Sequence, residues 1–203
     1  MNTSEAGAAQ TSGVPDETLS YAYRPAPMGA SWEFRLAPDA LEWDIGRRSG
    51  RVPYGEIRRL RLSFRPVTVQ TYRFLAEIWP AAGPKLQVAS TSWKSMFEQE
   101  RLDEPYSAFL AALHRRLAAA RSNARFDTGS PPLLYWPGLA VFVGAGLALA
   151  GLVVRALQVE AWSAAALIVG VFVLMLWQVG TFFRRNRPGT YRPEEIPADS
   201  LPG

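Results

Sequence analysis

The sequence of 203 residues contains no cysteine and only one histidine. Without cysteine, the chain can form no disulfide bond, no thiol nucleophile and no cysteine-ligated zinc or iron–sulfur site. The single histidine, His114, excludes a metal site built from several histidines and is interpreted as an ordinary residue on a helix flank. The motifs of P-loop, serine hydrolase and zinc protease sites are also missing. We therefore expect a protein that is not an enzyme and has no catalytic residues, cofactor or metal.

Charged side chains are missing from two long apolar runs in the second half of the sequence. The runs cover residues 133–154 and 161–183, which are 22 and 23 residues long. At about 1.5 Å per residue, each helix would be roughly 33 Å long, enough to cross a hydrocarbon core of about 30 Å. Neither run has the polar stripe of a helix on a soluble domain. The sequence therefore predicts two transmembrane helices joined by a turn at residues 155–160.

Arginine is concentrated on the outer flanks of these two runs, whereas the turn between them holds only Arg155. Because arginine and lysine are retained on the cytoplasmic side during insertion, both termini are expected in the cytoplasm. The sequence thus predicts a multi-pass protein of the bacterial inner (plasma) membrane, with a periplasmic turn and a cytoplasmic tail at residues 184–203. The flanking arginines are Arg115, Arg116, Arg121, Arg125, Arg184, Arg185, Arg187 and Arg192.

Small residues recur at helical spacing in both runs. In the first run, Ala140, Gly144 and Ala148 share one face, and Gly146 and Ala150 form an adjacent pair; in the second, Ala166 and Gly170 share a face. Such faces let helix backbones approach closely in lipid. Two interpretations stay open: packing within the hairpin, or contact with another copy of the chain or with a partner helix.

The first 30 residues are rich in Ser, Thr, Ala, Gly and Pro and show no apolar periodicity. We interpret residues 1–30 as a disordered or loosely ordered leader. Tyr21 and Tyr23, near its end, are candidates for a short edge strand.

Apolar and polar residues alternate over residues 31–90, a pattern typical of half-buried antiparallel strands. After a loop at residues 91–103, the apolar spacing becomes helical, which predicts one amphipathic helix. We expect an α+β domain at residues 31–125, with an antiparallel sheet or barrel of five to seven strands and this helix at its C-terminal end. A linker at residues 126–132 would connect the domain to the transmembrane hairpin.

One stretch of this domain resembles a known family. A strand at Leu41–Ile45 and a glycine turn at Gly46–Gly50 are followed by an apolar–proline–aromatic step, formed by Val52, Pro53, Tyr54 and Ile57. With several strands before a single helix, this arrangement resembles bacterial PH-like domain membrane proteins over residues 31–121. The resemblance implies a PH-like fold of seven strands closed by a helix. It implies no single activity, since PH-like folds serve lipid binding, protein binding and scaffolding.

Positive charge is concentrated in the strand region. Residues 40–66 contain seven arginines against three acidic residues, a net charge of +4. This face is either a solvated surface or a binding surface for anionic lipid or an acidic protein partner, and no nucleic acid is expected. Trp93, Met96 and Phe97 either cap the open end of the sheet or form a partner groove. The candidate lipid- or partner-binding residues are Arg47, Arg48, Arg51, Arg59 and Arg61.

Two functions from different classes fit these features. The first is an interaction or assembly module, PH-like and tethered to the membrane by its hairpin. The alternative is a regulatory or structural subunit of a larger transport or envelope complex. Neither span carries the ionisable residues of an ion or proton path, which argues against a transporter or channel that works alone. In the alternative, the hairpin would therefore pack into a larger complex.

Overall fold

The computed structural model describes residues 19–66 and 72–202. It begins with a meander of four antiparallel strands, the first sheet. Tyr21 and Tyr23 are buried in the first strand, so the expected edge strand is present, while the leader up to residue 18 lies outside the described residues. The strands are β1 (Ser20–Tyr23), β2 (Trp32–Leu36), β3 (Ala40–Asp44) and β4 (Ser49–Pro53).

A 3-10 turn at Tyr54–Glu56 leads into the second sheet. Its first three strands are β5 (Ile57–Pro66), β6 (Tyr72–Pro80) and β7 (Leu86–Ala89). They pair antiparallel in chain order. Leu60 and Leu62 are fully buried, and Arg59 and Arg61 lie on the opposite face, because successive side chains of a strand alternate between its two faces.

A short hairpin and one helix follow. β8 (Thr91–Trp93) and β9 (Gln99–Arg101) form a two-stranded antiparallel hairpin where the sequence predicted a loop. α1 (Asp103–Ala119) begins with two acidic residues, which stabilise the positive end of the helix dipole. The apolar face of α1 is buried through Tyr106, Phe109, Leu110, Leu113 and Leu117.

The hydrophobic core is formed by the buried faces of both sheets and of α1. Aromatic rings from different elements meet there: the ring centroid of Phe109 lies 5.4 Å from Tyr21 and 6.4 Å from Phe34. Each such ring buries roughly 150–250 Å². The domain therefore depends on β1 and α1 as much as on the central strands.

The chain leaves the domain through one strand and returns to it through another. β10 (Arg125–Thr128) pairs parallel with β5 and precedes the helix α2 (Pro132–Gln158). A turn of three residues joins α2 to α3 (Trp162–Arg185), after which β11 (Gly189–Thr190) pairs antiparallel with β10. The strand order of the second sheet is therefore β11-β10-β5-β6-β7.

These strands revise two expectations from the sequence. The segment assigned to a linker, residues 126–132, holds most of β10, and the segment assigned to a tail contains β11. Ile196 and Leu201 of that tail also contact the core. Consequently α1 is not the last element of the domain. Both strands are too short to show an alternation pattern, and β10 finds its partner β5 far away in the sequence.

The two helices of the hairpin are long and apolar enough to cross a membrane. At 27 and 24 residues they are about 40 and 36 Å long. None of the most apolar 18 residues of either helix is buried within the protein, and Leu133 and Leu147 are 88% and 70% exposed. Such apolar surfaces are suited to contact with lipid. α2 runs four residues past its predicted end, because the residues that follow Val154 contain no helix breaker.

The small-residue faces lie on the outside of the hairpin. Ala140, Gly144 and Ala148 of α2 are exposed, and so is Gly170 of α3. Space is open around Gly144 and Gly170, whereas a Cβ at Gly146 would lie 3.5 Å from the ring of Phe172. Helix packing within the hairpin thus uses Gly146, a member of the adjacent pair, rather than the face formed by Ala140, Gly144 and Ala148.

The architecture is α+β, as predicted, with sheets that are antiparallel except for the β10–β5 pair and with two long apolar helices. Within residues 19–66 and 72–202, no backbone pairing joins the two sheets into a closed barrel. The PH-like form of the domain stays a prediction.

Candidate functional site

The five candidate arginines fall into two groups on different sheets. Arg47, Arg48 and Arg51 belong to the hairpin formed by β3 and β4 in the first sheet. Arg59 and Arg61 lie on β5 in the second sheet. The structure therefore does not unite them in one surface.

The group on the first sheet is exposed to solvent. Arg47 and Arg48 lie in the turn after β3. Arg51 donates a hydrogen bond of 2.5 Å to Asp39 and approaches Glu42 to 3.9 Å. Exposed ion pairs of this kind contribute only about 0–1 kcal/mol to stability. The exposure of the group and the pairing of Arg51 with carboxylates fit a solvated surface.

The group on the second sheet lies on the outer face, opposite to the core. Arg59 donates a hydrogen bond of 2.5 Å to Asp127 of β10, and Arg125 donates one of 2.8 Å to the same carboxylate. On the other side of β5, Glu77 of β6 accepts a hydrogen bond of 2.9 Å from Lys85. Each acidic side chain of this face is therefore already paired with a cation.

Arg61 lies between these two carboxylates, in register with Asp127 on one side and Glu77 on the other. The side chain is only 8% exposed, and its guanidinium lies 5.5 Å from the ring centroid of Trp79, a cation–π contact. Among the described residues, the guanidinium makes no hydrogen bond and no ion pair. Burial lowers the pKa of Arg61, and the neighbouring Arg59 lowers it further, because both disfavour the charged form.

A cleft of about 610 Å³ opens beside Arg61, where the outer face of the second sheet meets the base of the hairpin. We call it the junction cleft. Arg61, Ser63 and Arg65 of β5 line its polar side, and Leu134 and Phe183 line its apolar side. The cleft therefore presents cations next to an apolar surface that continues along the two long apolar helices.

Asn186, just after α3, fastens the hairpin to the second sheet. The residue is fully buried. Its Oδ1 accepts a hydrogen bond of 3.2 Å from the backbone N–H of Phe64, and its Nδ2 donates one of 3.2 Å to the carbonyl of Phe182. Its own carbonyl accepts a bond of 3.0 Å from the N–H of Ser130, just before α2. One side chain and its backbone thus connect both ends of the hairpin to β5.

Gly129 and Tyr135 bring the two ends of the hairpin into direct contact. Gly129 has φ of +73°, and a Cβ there would collide with the carbonyl oxygens of Asn186 and Arg187. Glycine is therefore required at this position for two reasons: its positive φ and the close approach of the two carbonyl oxygens. The hydroxyl of Tyr135 donates a hydrogen bond of 3.2 Å to the carbonyl of Phe183.

His114 connects α1 to the segment that follows the hairpin. The ring is buried, and Nδ1 lies 2.7 Å from the carbonyl of Leu110. Because that carbonyl can only accept, Nδ1 carries the proton, and Nε2 accepts the hydroxyl proton of Tyr191 at 2.9 Å. Burial lowers the pKa of His114 below its usual value. The sequence predicted an ordinary residue on the helix flank, whereas the structure gives it a connecting role in the fold.

The aromatic residues before α1 do not cap the sheet as a group. Phe97 is 94% exposed and Met96 is 56% exposed, at the tip of the β8–β9 hairpin, whereas Trp93 is partly buried. The capping interpretation therefore fails for Phe97 and Met96. The interpretation as a partner groove stays a prediction.

Several residues of the junction were not singled out from the sequence. The alternation in β5 places Arg61 and Arg65 on one face, but it does not show that the helix base covers them. Ser63, Lys85 and Asn186 carry no motif, and only the strand register and the return of the chain bring them there. Across the residues that the structure describes, no three His, Asp or Glu side chains are grouped so that they could hold a metal ion.

Comparison of the chain with protein-family models, curated proteins and solved structures finds no match.

Proposed function

We propose that this protein is a non-enzymatic interaction or assembly module of the bacterial inner membrane. In this proposal, a PH-like domain is held on the cytoplasmic surface by a transmembrane hairpin. The observation that carries the proposal is the pairing of β10 with β11, which ties both ends of the hairpin to one sheet. Each joint between strand and helix, residues 129–131 and residues 186–188, spans at most about 11 Å. A domain held by two such joints stays at the membrane surface.

The distribution of arginine supports the cytoplasmic side. Arg125 lies in β10, Arg184 and Arg185 end α3, and Arg187 lies in the joint that follows, all at the domain end of the hairpin. The opposite end carries Arg155 together with Glu160. Because arginine near the membrane is retained in the cytoplasm during insertion, this distribution favours a cytoplasmic domain and cytoplasmic chain ends.

A second candidate is a subunit of a larger membrane complex. The observation that favours it is the exposed stripe of Ala140, Gly144 and Ala148, which the hairpin itself does not use. In lipid, such a stripe gains packing energy only when another helix covers it. The covering helix would come from a second copy of this chain or from a different membrane protein.

Purification of the full chain in mild detergent separates the two candidates. The module is expected to migrate as a single species without a stoichiometric protein partner. The subunit is expected to bring a partner, or to form an oligomer that a Gly144→Leu substitution dissociates. Val143→Leu is the matched control, because Val143 is exposed on the same helix outside the stripe. A partner that is lost equally in both variants would contradict the role of the stripe.

A further inference from the structure

The junction cleft carries hydrogen-bond donors that the described residues leave without acceptors. The guanidinium of Arg61 makes no hydrogen bond or ion pair there, although the side chain is only 8% exposed. Ser63, two residues further along the same strand face, has a buried hydroxyl without a partner. A buried hydroxyl without an acceptor is costly, and the guanidinium of Arg61 lines the cleft, where an anion can reach it. Both donors therefore favour an anionic acceptor in the cleft.

The charges around the cleft favour an anion rather than a cation. Its lining carries Arg61, Arg65 and Lys85 against the single carboxylate of Glu77, a net charge of +2. Glu77 is itself occupied by Lys85, at 2.9 Å. Arg61 and Arg65 are four residues apart on one strand face, so both point toward the same side of the sheet. Guanidinium groups match the oxygen geometry of phosphate.

The opposite wall of the cleft is apolar and belongs to the membrane-spanning helices. Leu134 and Phe183 line it, together with Tyr135 and Gly138. Leu134 is 71% exposed, so the wall continues outward along α2. A ligand that satisfies both walls has a phosphate group at one end and hydrocarbon at the other. A soluble phosphate compound would satisfy the polar wall only.

We propose that the junction cleft binds the headgroup of an anionic phospholipid, with its phosphate at Arg61 and its acyl chains along α2 and α3. This inference rests on the proposed function, because it requires the hairpin to span a bilayer. The bound lipid would fill the space between sheet and hairpin, and would orient the domain on the membrane. The site differs from the cleft of about 440 Å³ beside the β3–β4 hairpin, where Arg51 is already paired with Asp39 and lies near Glu42.

Native mass spectrometry of the full chain in mild detergent tests the proposal, with phosphatidylglycerol or phosphatidylcholine added as the probe. The wild type should bind phosphatidylglycerol more tightly than phosphatidylcholine. Arg61→Gln should weaken binding of phosphatidylglycerol about tenfold, the change expected when one charge-assisted hydrogen bond is lost. Arg48→Gln, which removes an exposed arginine on the other sheet, is the matched control and should bind as the wild type does.

A second cleft variant and a soluble competitor complete the test. Arg65→Gln changes an exposed residue of the cleft, so this variant should fold normally and still bind phosphatidylglycerol more weakly. It therefore tests the site even if Arg61→Gln does not fold. Glycerol 3-phosphate in excess should not displace the lipid, and full displacement would identify a soluble phosphate site instead. Equal binding of both lipids by the wild type, or equal loss in Arg65→Gln and Arg48→Gln, would overturn the proposal. If the hairpin is shown separately to cross the membrane in vesicles, such a result refutes the lipid site and leaves the proposed function standing.

Discussion

Replacing Tyr191 by phenylalanine tests whether the segment after the hairpin belongs to the domain. The substitution removes one hydroxyl group and keeps the ring, which packs at 5.6 Å from Phe126 and 5.7 Å from His114. In the wild type the hydroxyl donates to Nε2 of His114 at 2.9 Å. After the substitution, Nε2 would be an acceptor without a donor in a side chain that is 1% exposed.

The expected loss of stability follows from that orphaned nitrogen. Leaving a buried polar group without its partner costs about 1–3 kcal/mol. The packing of the ring is unchanged, so no cavity contributes to the loss. We therefore expect Tyr191→Phe to lower the free energy of unfolding of the domain by about 1–3 kcal/mol.

Urea unfolding of the full chain in detergent micelles, followed by near-ultraviolet circular dichroism, measures this loss. Tyr72→Phe is the matched control, because the hydroxyl of Tyr72 interacts with the exposed side chain of Arg101, and its removal should change stability by less than about 0.5 kcal/mol. If both variants unfold at the same urea concentration as the wild type, the segment after the hairpin is not part of the folded domain.

Three other substitutions or conditions give defined outcomes in the same unfolding assay. Because the pKa of His114 is lowered by burial, the unfolded chain takes up this proton first. Stability should therefore be lost as the pH falls below about 6.5, and the loss should shrink in His114→Gln. Gly129→Ala should destabilise the domain more than Gly83→Ala does, since both glycines have positive φ but only Gly129 meets backbone atoms; equal effects would remove the close approach as the cause. Trp43→Ala should cost roughly 3–5 kcal/mol, because Trp43 is 9% exposed and lies over Gly50; a small loss would place the ring outside the core.

Much of the fold can be predicted from local patterns in the sequence. The strands β2 to β7 follow from alternation, since a half-buried strand must place apolar residues on one face only. α1 follows from the spacing of residues such as Phe109 and Leu113, and the hairpin follows from two uncharged runs. In each case the elements are long enough to repeat their pattern several times.

The junction between domain and hairpin could not be predicted in the same way. β11 contains two residues, Gly189 and Thr190, and so shows no alternation. Its place is determined by β10, which itself depends on pairing with β5 across the length of α1. Long-range pairings of this kind depend on the folded structure and not on local propensity.

The two candidate arginines of β5 also show what a local pattern cannot predict. Alternation correctly placed Arg59 and Arg61 on the outer face of the second sheet. It could not show that Asp127 would hold Arg59 while leaving Arg61 without a hydrogen bond among the described residues. That difference comes from the neighbouring strands and from the helix base that covers the cleft, both of which are tertiary features.

We expect the domain and the segment after the hairpin to lie on one side of the membrane, and the turn between the helices to lie on the other. The chain has no cysteine, so a single introduced cysteine is the only target of a membrane-impermeant maleimide. Labelling in vesicles of both orientations should reach Ser95→Cys and Ala198→Cys from the cytoplasmic side only, and Gln158→Cys from the periplasmic side only. Labelling of Gln158→Cys and Ser95→Cys from the same side would contradict this topology.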